Sequence, residues 1–485
     1  MTTKASVVVI GGGIAGLCAA YELSGGVDGP SPTTPRIELL DVAPVVGGSI
    51  GLTQFAGRTL DLGADGFLGR RPEAVGLAHD LGLDADLEPI AASGASIYLN
   101  GVIDTLPQGL VLGVPTTSSS LKSLKGLSRG ARFQAWRDEH APRPYVAGDD
   151  ATIGEILRNK LGGALTYQLI EPMIGGIQAG RVDELSAKSV FPALLTAAQR
   201  KGSLLKHLRA SGEAMPGPAA LSTASRAVFY SLTGGVGSLV TALTDVLRER
   251  GVVVRTNTAV TALRRTPAAR YPWEVDTATT ATPADAVVLA TPASVTAALA
   301  GAHHDALASL RTIQNVATAM ITLQFAPDAV RLPAQGTGLL VPLGSTFGDD
   351  IFMTTAVTFL DRKWPHLRSP DDVLLRVHVG RSDDRRFTGF GDEALVARVL
   401  DELRALLGNV DAPRASLVQR WSEGLPQYRL GHSDVVSNAS VAAATLGLVL
   451  AGNAYDGVGI PATIGSGRAA GRRALGILAS ASAHK

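Results

Sequence analysis

The sequence predicts an α/β fold in which a Rossmann-like domain is assembled from three separated parts of the chain. Residues 7–10 form an apolar, β-branched run that leads directly into a glycine-rich turn and a helical segment. Similar apolar runs begin at Ala286 and at Gly447, in the middle and near the end of the chain. Continuous apolar runs are typical of central strands in a parallel sheet, because both faces of such a sheet are covered. We therefore predict one parallel sheet built from distant segments.

The turn after the first strand carries the G-x-G-x-x-G pattern at Gly11, Gly13 and Gly16. Gly11 allows a tight turn, Gly13 lets a phosphate approach the backbone, and Gly16 lets the helix pack on the strand. A helix-like segment from Leu17 to Leu23 follows, and its dipole and free N–H groups are expected to face the anion. Ile14 and Ala15, inside the motif, are also expected to contact the cofactor. Because a strand precedes this motif and a helix follows it, a bound dinucleotide is the expected ligand.

The end of the second predicted strand, residues 36–40, indicates which dinucleotide binds. Asp41 follows that strand, where an acid can hold a ribose hydroxyl; a surface acid that only closes the strand is the alternative. Gly47, Gly48 and Ser49 come next, and a Gly-Gly pair here resembles the second phosphate contact of FAD enzymes of the amine-oxidase type. The basic residues that usually flank the pair are missing, so we expect backbone groups to make this contact.

Composition excludes several classes of function. The chain has 485 residues with 44 basic and 43 acidic side chains, and no basic run is interleaved with aromatic residues, so we expect no nucleic-acid partner. Its one cysteine, Cys18, cannot form an intrachain disulfide and is expected to pack in the core. The sequence has no Cys/His cluster typical of a metal site. Without a leader or a long apolar stretch, we expect a cytoplasmic protein, with peripheral contact at the inner face of the membrane left open.

Two insertions separate the parts of the predicted sheet. Thr152 and Glu155 have the spacing of a capping box, which indicates helix in the first insertion. Residues 319–325 and 374–379 alternate with period two, which predicts a mostly antiparallel sheet over the cofactor. Residues 118–128 are polar and are predicted to form a flexible loop. The predicted units are an FAD-binding domain (1–65, 222–295 and 441–485), an α+β substrate-binding domain (66–90, 185–221 and 296–440) and a helical domain (91–184) that lines the cavity and is a candidate for membrane contact.

Four further segments occur in a fixed order along the chain. They are Asp61-Leu62-Gly63-Ala64-Asp65-Gly66-Phe67 with Arg70-Arg71-Pro72-Glu73, then Leu106 to Leu110, then Gly176 to Gly180 with Leu185-Ser186 and Phe191-Pro192, and finally Ala451 to Pro461. Together they resemble the protoporphyrinogen/coproporphyrinogen oxidase family of the haem pathway over nearly the full length. The chain departs from the family at the flanks of Gly47-Gly48 and at Arg181, where an acid or Asn is commoner.

The resemblance implies FAD as the cofactor. The last segment corresponds to the C-terminal flavin motif of the family, and it offers Tyr455 but no Cys or Trp for flavin attachment, so we expect non-covalent binding. No second G-x-G-x-x-G with an arginine-rich ribose-phosphate site is present, so oxygen is the expected reoxidant. Beyond the residues named above, the implied cofactor contacts are Gly63, Ala64, Asp65, Val260, Gly452, Asn453, Gly457, Val458, Gly459 and Ile460.

The resemblance also implies a porphyrinogen substrate, a flexible apolar macrocycle with carboxylates on its rim. Arg70 and Arg71 are the candidate carboxylate clamp, with a solvated pair at a helix start as the alternative. In the family, the carbonyl of the glycine corresponding to Gly176 approaches the pyrrole N–H groups; a turn glycine is the alternative. No catalytic acid or base is expected to be essential, because the macrocycle can tautomerise between oxidations. The implied reaction is three two-electron oxidations with O2 that form H2O2.

The choice of substrate stays open between two porphyrinogens. The absence of a hydrophobic anchor resembles the coproporphyrinogen III branch, and Lys122, Lys125 or Arg129 could serve its additional carboxylates. Protoporphyrinogen IX is the alternative substrate. A flavin amine oxidase, a carotenoid-type desaturase and a non-catalytic FAD-binding partner are more distant alternatives. We expect transient contact with the next enzyme of the haem pathway. His378 is expected to pack in the core, and His303-His304 is expected to be a solvated loop pair.

Overall fold

The computed structural model describes residues 4–91, 94–212, 228–266 and 272–483. The predicted domain boundary between residues 221 and 222 lies outside the described residues. The strands are β1 (Ser6–Ile10), β2 (Arg36–Leu40), β3 (Leu52–Phe55), β4 (Arg58–Asp61), β5 (Phe67–Leu68), β6 (Leu87–Pro89), β7 (Ser96–Leu99), β8 (Val102–Thr105), β9 (Leu110–Val111), β10 (Val114–Pro115), β11 (Phe229–Leu232), β12 (Val253–Arg255), β13 (Val260–Arg265), β14 (Trp273–Thr277), β15 (Ala281–Ala284), β16 (Ala286–Leu289), β17 (Asn315–Phe325), β18 (Gly338–Leu340), β19 (Thr346–Phe347), β20 (Asp350–Ile351), β21 (Thr354–Phe359), β22 (Val373–Val379), β23 (Ala415–Pro426) and β24 (Leu448–Leu450). The helices are α1 (Ile14–Leu23), α2 (Pro72–Asp80), α3 (Arg129–His140), α4 (Ile153–Leu161), α5 (Gly163–Leu165), α6 (Glu171–Gln178), α7 (Ala187–Val190), α8 (Pro192–Ala198), α9 (Leu204–Ala210), α10 (Ser238–Glu249), α11 (Ala293–Ala300), α12 (Asp305–Ala308), α13 (Leu360–Lys363), α14 (Asp392–Leu407), α15 (His432–Leu446) and α16 (Ile460–Ala483).

A five-stranded sheet in the order β12-β2-β1-β16-β24 is parallel throughout. Val7 and Val9 on β1 face one apolar cluster with α1 and α16, whereas Val8 and Ile10 face a second cluster with α15. Because both faces are covered, every residue of β1 is buried, which explains the continuous apolar run. The sheet draws its strands from three separated parts of the chain, as the sequence predicts.

Helices α1 and α16 pack backbone against backbone. A side chain at Gly467 would overlap the carbonyl of Ala15, and one at Gly471 would overlap the carbonyl of Ala19. These two close approaches run in the same direction along both helices, so the N-termini of α1 and α16 lie at the same end of the pair. The start of α16 is thereby placed at the end of α1 that adjoins the glycine turn after β1.

A second sheet has seven strands in the order β23-β17-β22-β21-β18-β7-β8. All of its neighbouring strands are antiparallel except β18 and β7. Strands β17 and β22 contain the two alternating segments that the sequence identified. Helix α14 buries Leu395, Val399 and Leu403 against the apolar face of this sheet. The prediction of a mostly antiparallel sheet in the second insertion is therefore confirmed.

The prediction that residues 91–184 are helical is wrong for its first part. Strands β7 and β8 form a hairpin that extends the seven-stranded sheet. Asn100 and Gly101 form its turn with φ of 50° and 84°, the left-handed geometry that Asn-Gly pairs favour in two-residue hairpins. The predicted flexible loop at 118–128 is also wrong, because Ser118–Ser123 forms a 3₁₀ helix, and apolar side chains of the segment are buried in the helical core. These side chains are Leu121, Leu124 and Leu127.

Helices α3 to α9 enclose an apolar core of their own. Thr152 caps α4, with its hydroxyl oxygen accepting a hydrogen bond from the Glu155 N–H at 3.0 Å, as the capping box predicts. A π-helical turn, Thr166–Ile170, leads into α6. Within the described residues, no helix is both long enough and apolar enough to cross a membrane.

Candidate active site

The glycine turn after β1 is closed on two sides and open on one. Gly11 has a φ of +104°, and a side chain there would overlap the carbonyl of Ala290. A side chain at Gly16 would overlap the carbonyl of Gly11, so the helix packs as closely on the strand as the motif predicts. In contrast, no atom lies within 4 Å of a Cβ placed on Gly13. The open side of the turn therefore lies at Gly13.

The N-terminus of α1 faces the same open space. Gly13 is its N-cap residue, and no side chain caps the helix. The first N–H groups of a helix have no partner within it, and they carry the positive end of the helix dipole. Ile14 and Ala15 have buried side chains, so they contribute these N–H groups rather than side-chain contacts. The arrangement suits an anion such as a pyrophosphate.

Asp41 shapes this turn through both of its carboxylate oxygens. One oxygen accepts a hydrogen bond from the Gly12 N–H, and the other accepts one from the Ala43 N–H at 2.7 Å. Asn257 and Thr258 donate backbone hydrogen bonds to the carbonyls of Ala43 and Asp41, which brings the start of β13 at Val260 beside this acid. The carboxylate keeps free lone pairs, so its role toward a ribose stays a prediction.

The Gly-Gly pair lies against the glycine turn. The Gly47 N–H donates to the Gly12 carbonyl at 2.8 Å, and a Cβ on Gly48 would come within 3.3 Å of the Gly13 Cα. Ser49 is exposed, and its carbonyl fills the position that a side chain on Gly63 would need. The structure thus brings together three predicted cofactor segments that are separate in the sequence.

The C-terminal segment forms a second glycine-rich turn before α16. Gly452, Gly457 and Gly459 all have positive φ, and no atom lies within 4 Å of a Cβ placed on Gly452 or Gly459. The Gly452 N–H donates to the Ser466 hydroxyl at 3.0 Å, which ties the turn to α16. Asn453 and Val458 are partly exposed in this turn, and Ile460 begins the helix.

Tyr428 and His432 border this turn, and neither was predicted from the sequence. The Tyr428 hydroxyl donates to the carbonyl of Asn453, and the two aromatic rings stack with centroids 4.0 Å apart. Burial raises the pKa of Tyr428 and lowers the pKa of His432 to about 4, so both groups are neutral at physiological pH. No local motif around these residues could have identified them, because their partner lies 25 residues further along the chain.

The segment from Asp61 to Asp65 is held against the seven-stranded sheet by charged side chains. The Arg376 guanidinium on β22 donates to the carbonyls of Asp61 and Gly63. The Asp65 carboxylate lies 2.7 Å from the Lys363 ammonium. Although burial opposes the charge, Lys363 and Arg376 hold the pKa of Asp65 at about 2. The Asp65 side chain is therefore paired, and a cofactor contact is left to its backbone and to that of Gly63 and Ala64.

A scan against models of protein families matches residues 14–475 to flavin-containing amine oxidoreductases. The chain belongs to this family. Its cofactor is FAD, and the described residues fit that group: the helix N-terminus without a side-chain cap, the open sides of Gly13, Gly452 and Gly459, and the free lone pairs of Asp41 are suited to a dinucleotide.

Two proteins and one crystal structure resemble this flavin oxidoreductase over nearly their whole length. It is 31% identical to coproporphyrinogen III oxidase of Bacillus subtilis, covering 98% of this chain and 99% of that protein. It is also 31% identical to protoporphyrinogen oxidase of Bos taurus, covering 97% and 98%. A crystal structure from Exiguobacterium sp. 255-15, provisionally named protoporphyrinogen oxidase, superposes with a TM-score of 0.84 at 29% identity and covers 99% of each chain. The chain is therefore an FAD-dependent oxidoreductase.

The candidate substrate residues of this oxidoreductase lie on two different helices. Arg70 and Arg71 are exposed at the start of α2, and Arg71 pairs with Glu73 at 2.7 Å. Gly176 is exposed in the last turn of α6, so the alternative of a turn glycine is wrong. Beside it, Ile177 leaves 46% of its surface exposed. No described residue donates a hydrogen bond to the Gly176 carbonyl, which leaves it open to a ligand.

The other side chains of interest pack in the structure. Cys18 is buried as predicted. His378 is partly buried on β22; its Nε2 lies 3.1 Å from the Thr358 hydroxyl, and burial lowers its pKa to about 4. The prediction of a solvated pair is wrong for His303, whose Nε2 lies 2.9 Å from the Leu263 carbonyl. Among the described residues, no group of His, Cys, Asp and Glu could hold a metal ion.

Asp61→Asn is expected to change how stability depends on pH. Burial raises the pKa of Asp61 to about 6, although the Gly237 and Val236 N–H groups favour its charged form. Between about pH 4 and 6 the Asp61 carboxyl is therefore protonated in the folded state and ionised in the unfolded state. Its protonation stabilises the fold by about 3 kcal/mol below pH 4, and this contribution is lost as the pH rises to about 6. Urea unfolding from pH 4 to 7 should show a smaller loss of unfolding free energy in Asp61→Asn than in the wild type. The exposed Glu249→Gln should keep the wild-type slope; an unchanged slope in Asp61→Asn would contradict the assignment.

Proposed function

We propose that the protein oxidises coproporphyrinogen III to coproporphyrin III in haem biosynthesis, by three two-electron steps with O2 as acceptor and H2O2 as product. The observation that carries the proposal is its end-to-end similarity to the Bacillus subtilis coproporphyrinogen III oxidase. The four ordered segments and the open glycine turns support the same assignment. Protoporphyrinogen IX is the second candidate substrate, favoured by the similarity to the bovine protoporphyrinogen oxidase.

The chemistry is supplied by FAD, which when bound accepts two electrons from the substrate at each step. The residues of this chain bind and orient the cofactor and the substrate. Tyr428 and His432 are both neutral, and the Asp65 carboxylate is held by Lys363. We propose no residue of the described site as an essential acid or base, because the macrocycle can tautomerise between oxidations. Because neither Cys nor Trp occurs in the C-terminal turn, the proposed FAD binding is non-covalent.

The proposed substrate cavity adjoins α6. Gly176 offers a free carbonyl oxygen for the pyrrole N–H groups, and Ile177 offers an apolar surface for the macrocycle. The Leu340 side chain on β18 reaches within 3.8 Å of a Cβ placed on Gly176, so it supports the same wall. Arg70 and Arg71 are proposed to bind rim carboxylates, because a guanidinium binds a carboxylate with two parallel hydrogen bonds.

The organisation around this chemistry is part of the proposal. The residue ranges predicted for the FAD-binding, substrate-binding and helical domains are retained, except that the hairpin of β7 and β8 belongs with the substrate-binding sheet. We also propose a cytoplasmic location and transient contact with the next enzyme of the haem pathway, both supported by the family resemblance. Peripheral contact with the membrane stays a prediction.

Arg71→Ala is expected to raise KM for the porphyrinogen about tenfold and to leave kcat within a factor of two. A charge-assisted hydrogen bond to a rim carboxylate contributes to binding but lies far from the reacting carbon. Steady-state kinetics with coproporphyrinogen III measures both constants. Glu73→Gln is the matched control, because it breaks the same ion pair and keeps the arginine. An unchanged KM in Arg71→Ala would remove Arg71 from the clamp.

The proposal is tested by an aerobic fluorescence assay with coproporphyrinogen III and protoporphyrinogen IX side by side, with peroxide recorded. Faster porphyrin formation from coproporphyrinogen III, with three H2O2 per porphyrin, is expected. Preference for protoporphyrinogen IX would establish the second candidate. Turnover of neither porphyrinogen, together with oxidation of a primary amine or a polyamine, would overturn the proposal in favour of an amine oxidase.

A further inference from the structure

Charged side chains gather where β22 ends against the last turn of α6. The Ser382 N–H, three residues after β22, donates to the carbonyl of Ala179 at 2.9 Å, which joins the two elements. Ion pairs link Arg158, Arg181 and Arg381 with Glu171, Asp183 and Asp383. The Arg386–Asp384 ion pair lies beside them, because Arg381 and Asp384 form a backbone bridge, and these eight side chains make up the cluster. The cluster has four arginines and four acids, so the hydrogen bonds between them decide which side chain is left without a partner.

Three of the four arginines in this cluster donate hydrogen bonds. Arg181 donates to Glu171 and to Asp383, each at 2.6 Å. Arg386 donates to Asp384 at 2.7 Å. Arg158 donates to the Tyr167 hydroxyl at 3.0 Å and pairs with Asp183. The carboxylates of the cluster are thus engaged by arginines other than Arg381.

Arg381 differs from the other three. It is 5% exposed, and among the described residues none accepts a hydrogen bond from its guanidinium. Its nearest carboxylate oxygen is Oδ1 of Asp383, 3.8 Å from Nε, which is beyond hydrogen-bond distance. A buried guanidinium without hydrogen bonds is costly, so such a group in a native fold needs an explanation.

The position of Arg381 relates it to the proposed cavity. Ala179, which is joined to this turn, lies three residues after the exposed Gly176 on the same helix end. Further buried polar atoms there have no hydrogen-bond partner: Oε1 of Gln178, Oε1 of Gln427, Oγ of Ser382 and the carboxylate oxygens Oε2 of Glu171 and Oδ1 of Asp183. The side-chain amide of Gln427 donates to the carbonyl of Gln178 at 2.9 Å, so both belong to one cluster. Unpartnered buried groups from three segments of chain converge at the inner end of α6.

We propose that Arg381 is a specificity-determining residue that binds one carboxylate of the substrate at the inner end of α6. This inference rests on the proposed function, because it takes the porphyrinogen as the ligand. A guanidinium presents two parallel N–H groups that match a carboxylate, and the pairing supplies the hydrogen bonds that the described residues do not. Arg70 and Arg71 lie on α2 at the surface, so Arg381 is a separate contact.

The test compares coproporphyrinogen III with its tetramethyl ester, which keeps the macrocycle and lacks the charges. Arg381→Met is expected to raise KM for the free acid at least tenfold and to leave KM for the ester within twofold. The value of kcat should change less than threefold. For Arg381→Lys, KM for the free acid should lie between the values for Arg381→Met and the wild type. Lysine keeps the positive charge but lacks the two parallel N–H groups of the guanidinium. Arg385→Met, which removes an exposed arginine four residues away, is the matched control and should behave as wild type.

Equal effects of Arg381→Met on acid and ester, or no effect on either, would overturn the inference. If Arg381→Met does not fold, the same comparison made with Arg381→Lys decides. Equilibrium binding of coproporphyrin III and of its tetramethyl ester to each holoenzyme, followed by porphyrin fluorescence, separates this inference from the proposed function. If the wild type turns over coproporphyrinogen III but Arg381→Met loses no affinity specific to the free acid, the proposed function holds and the role of Arg381 is rejected. If the wild type turns over no porphyrinogen but Arg381→Met binds the free acid more weakly and the ester equally well, the proposed function is rejected and the anion site at Arg381 holds.

Discussion

Replacement of Gly13 by alanine is expected to weaken FAD binding at least 100-fold while the apo protein stays folded. Gly13 has φ of −66° and ψ of 173°, a conformation that alanine adopts without strain, and no atom lies within 4 Å of the added methyl group. The same methyl group would occupy the space through which a phosphate approaches the N-terminus of α1. A 100-fold loss corresponds to about 2.7 kcal/mol of binding free energy.

Gel filtration followed by the flavin-to-protein absorbance ratio measures the retained FAD, and thermal unfolding of the apo protein measures the fold. Gly76→Ala is the matched control, because Gly76 lies on α2 with no atom within 4 Å of an added methyl group. Gly16→Ala should instead destabilise the apo protein, since its methyl group would overlap the Gly11 carbonyl. Full FAD content in Gly13→Ala would show that the pyrophosphate does not lie over this turn.

Arg376→Met is expected to destabilise the apo protein by about 3–5 kcal/mol. The buried guanidinium donates to the carbonyls of Asp61 and Gly63 and, at 3.2 Å, to the Thr322 hydroxyl. Its removal leaves buried acceptors unpaired and takes a positive charge away from Asp61 and Asp65. Because these contacts join the segment after β4 to the seven-stranded sheet, FAD content should fall as well.

Urea unfolding of the apo protein provides the measurement, with the midpoint compared at constant m-value. Arg248→Met is the control, because Arg248 and its partner Asp245 are both exposed on α10 at 3.5 Å, and such pairs contribute less than about 1 kcal/mol. A midpoint for Arg376→Met equal to that of the control would contradict the role assigned to the buried guanidinium.

The parallel sheet and its glycine turn could be predicted from sequence because each signal is local. Residues 7–10 and 286–289 are apolar throughout, since both faces of the sheet are buried. The hairpin at Asn100-Gly101 also carried a local signal, and the sequence analysis missed it by extending the helical insertion over it. Similarly, Leu121, Leu124 and Leu127 recur every third residue, which indicates a buried face. The prediction of a loop relied instead on the polar residues between them.

Other parts of the site could not be predicted because they depend on tertiary contacts. Arg376 meets Asp61 across 315 positions of sequence, and Tyr428 meets Asn453 through a backbone carbonyl that carries no sequence signal. Arg381 is distinguished only by the hydrogen bonds it does not make with the described residues, which a sequence cannot show. Gly176 was identified by resemblance, and only the structure shows that it lies in a helix with an open carbonyl.

The proposed function requires that the bound FAD oxidises coproporphyrinogen III. Anaerobic titration of the holoenzyme with coproporphyrinogen III, followed by the visible absorbance of the flavin, tests it most directly. We expect complete bleaching with about one-third of an equivalent of porphyrinogen, because each molecule supplies electrons for three two-electron steps. The flavin colour should return, with formation of H2O2, when air is admitted. A flavin that coproporphyrinogen III leaves fully oxidised, in a protein that dithionite still bleaches, would contradict it.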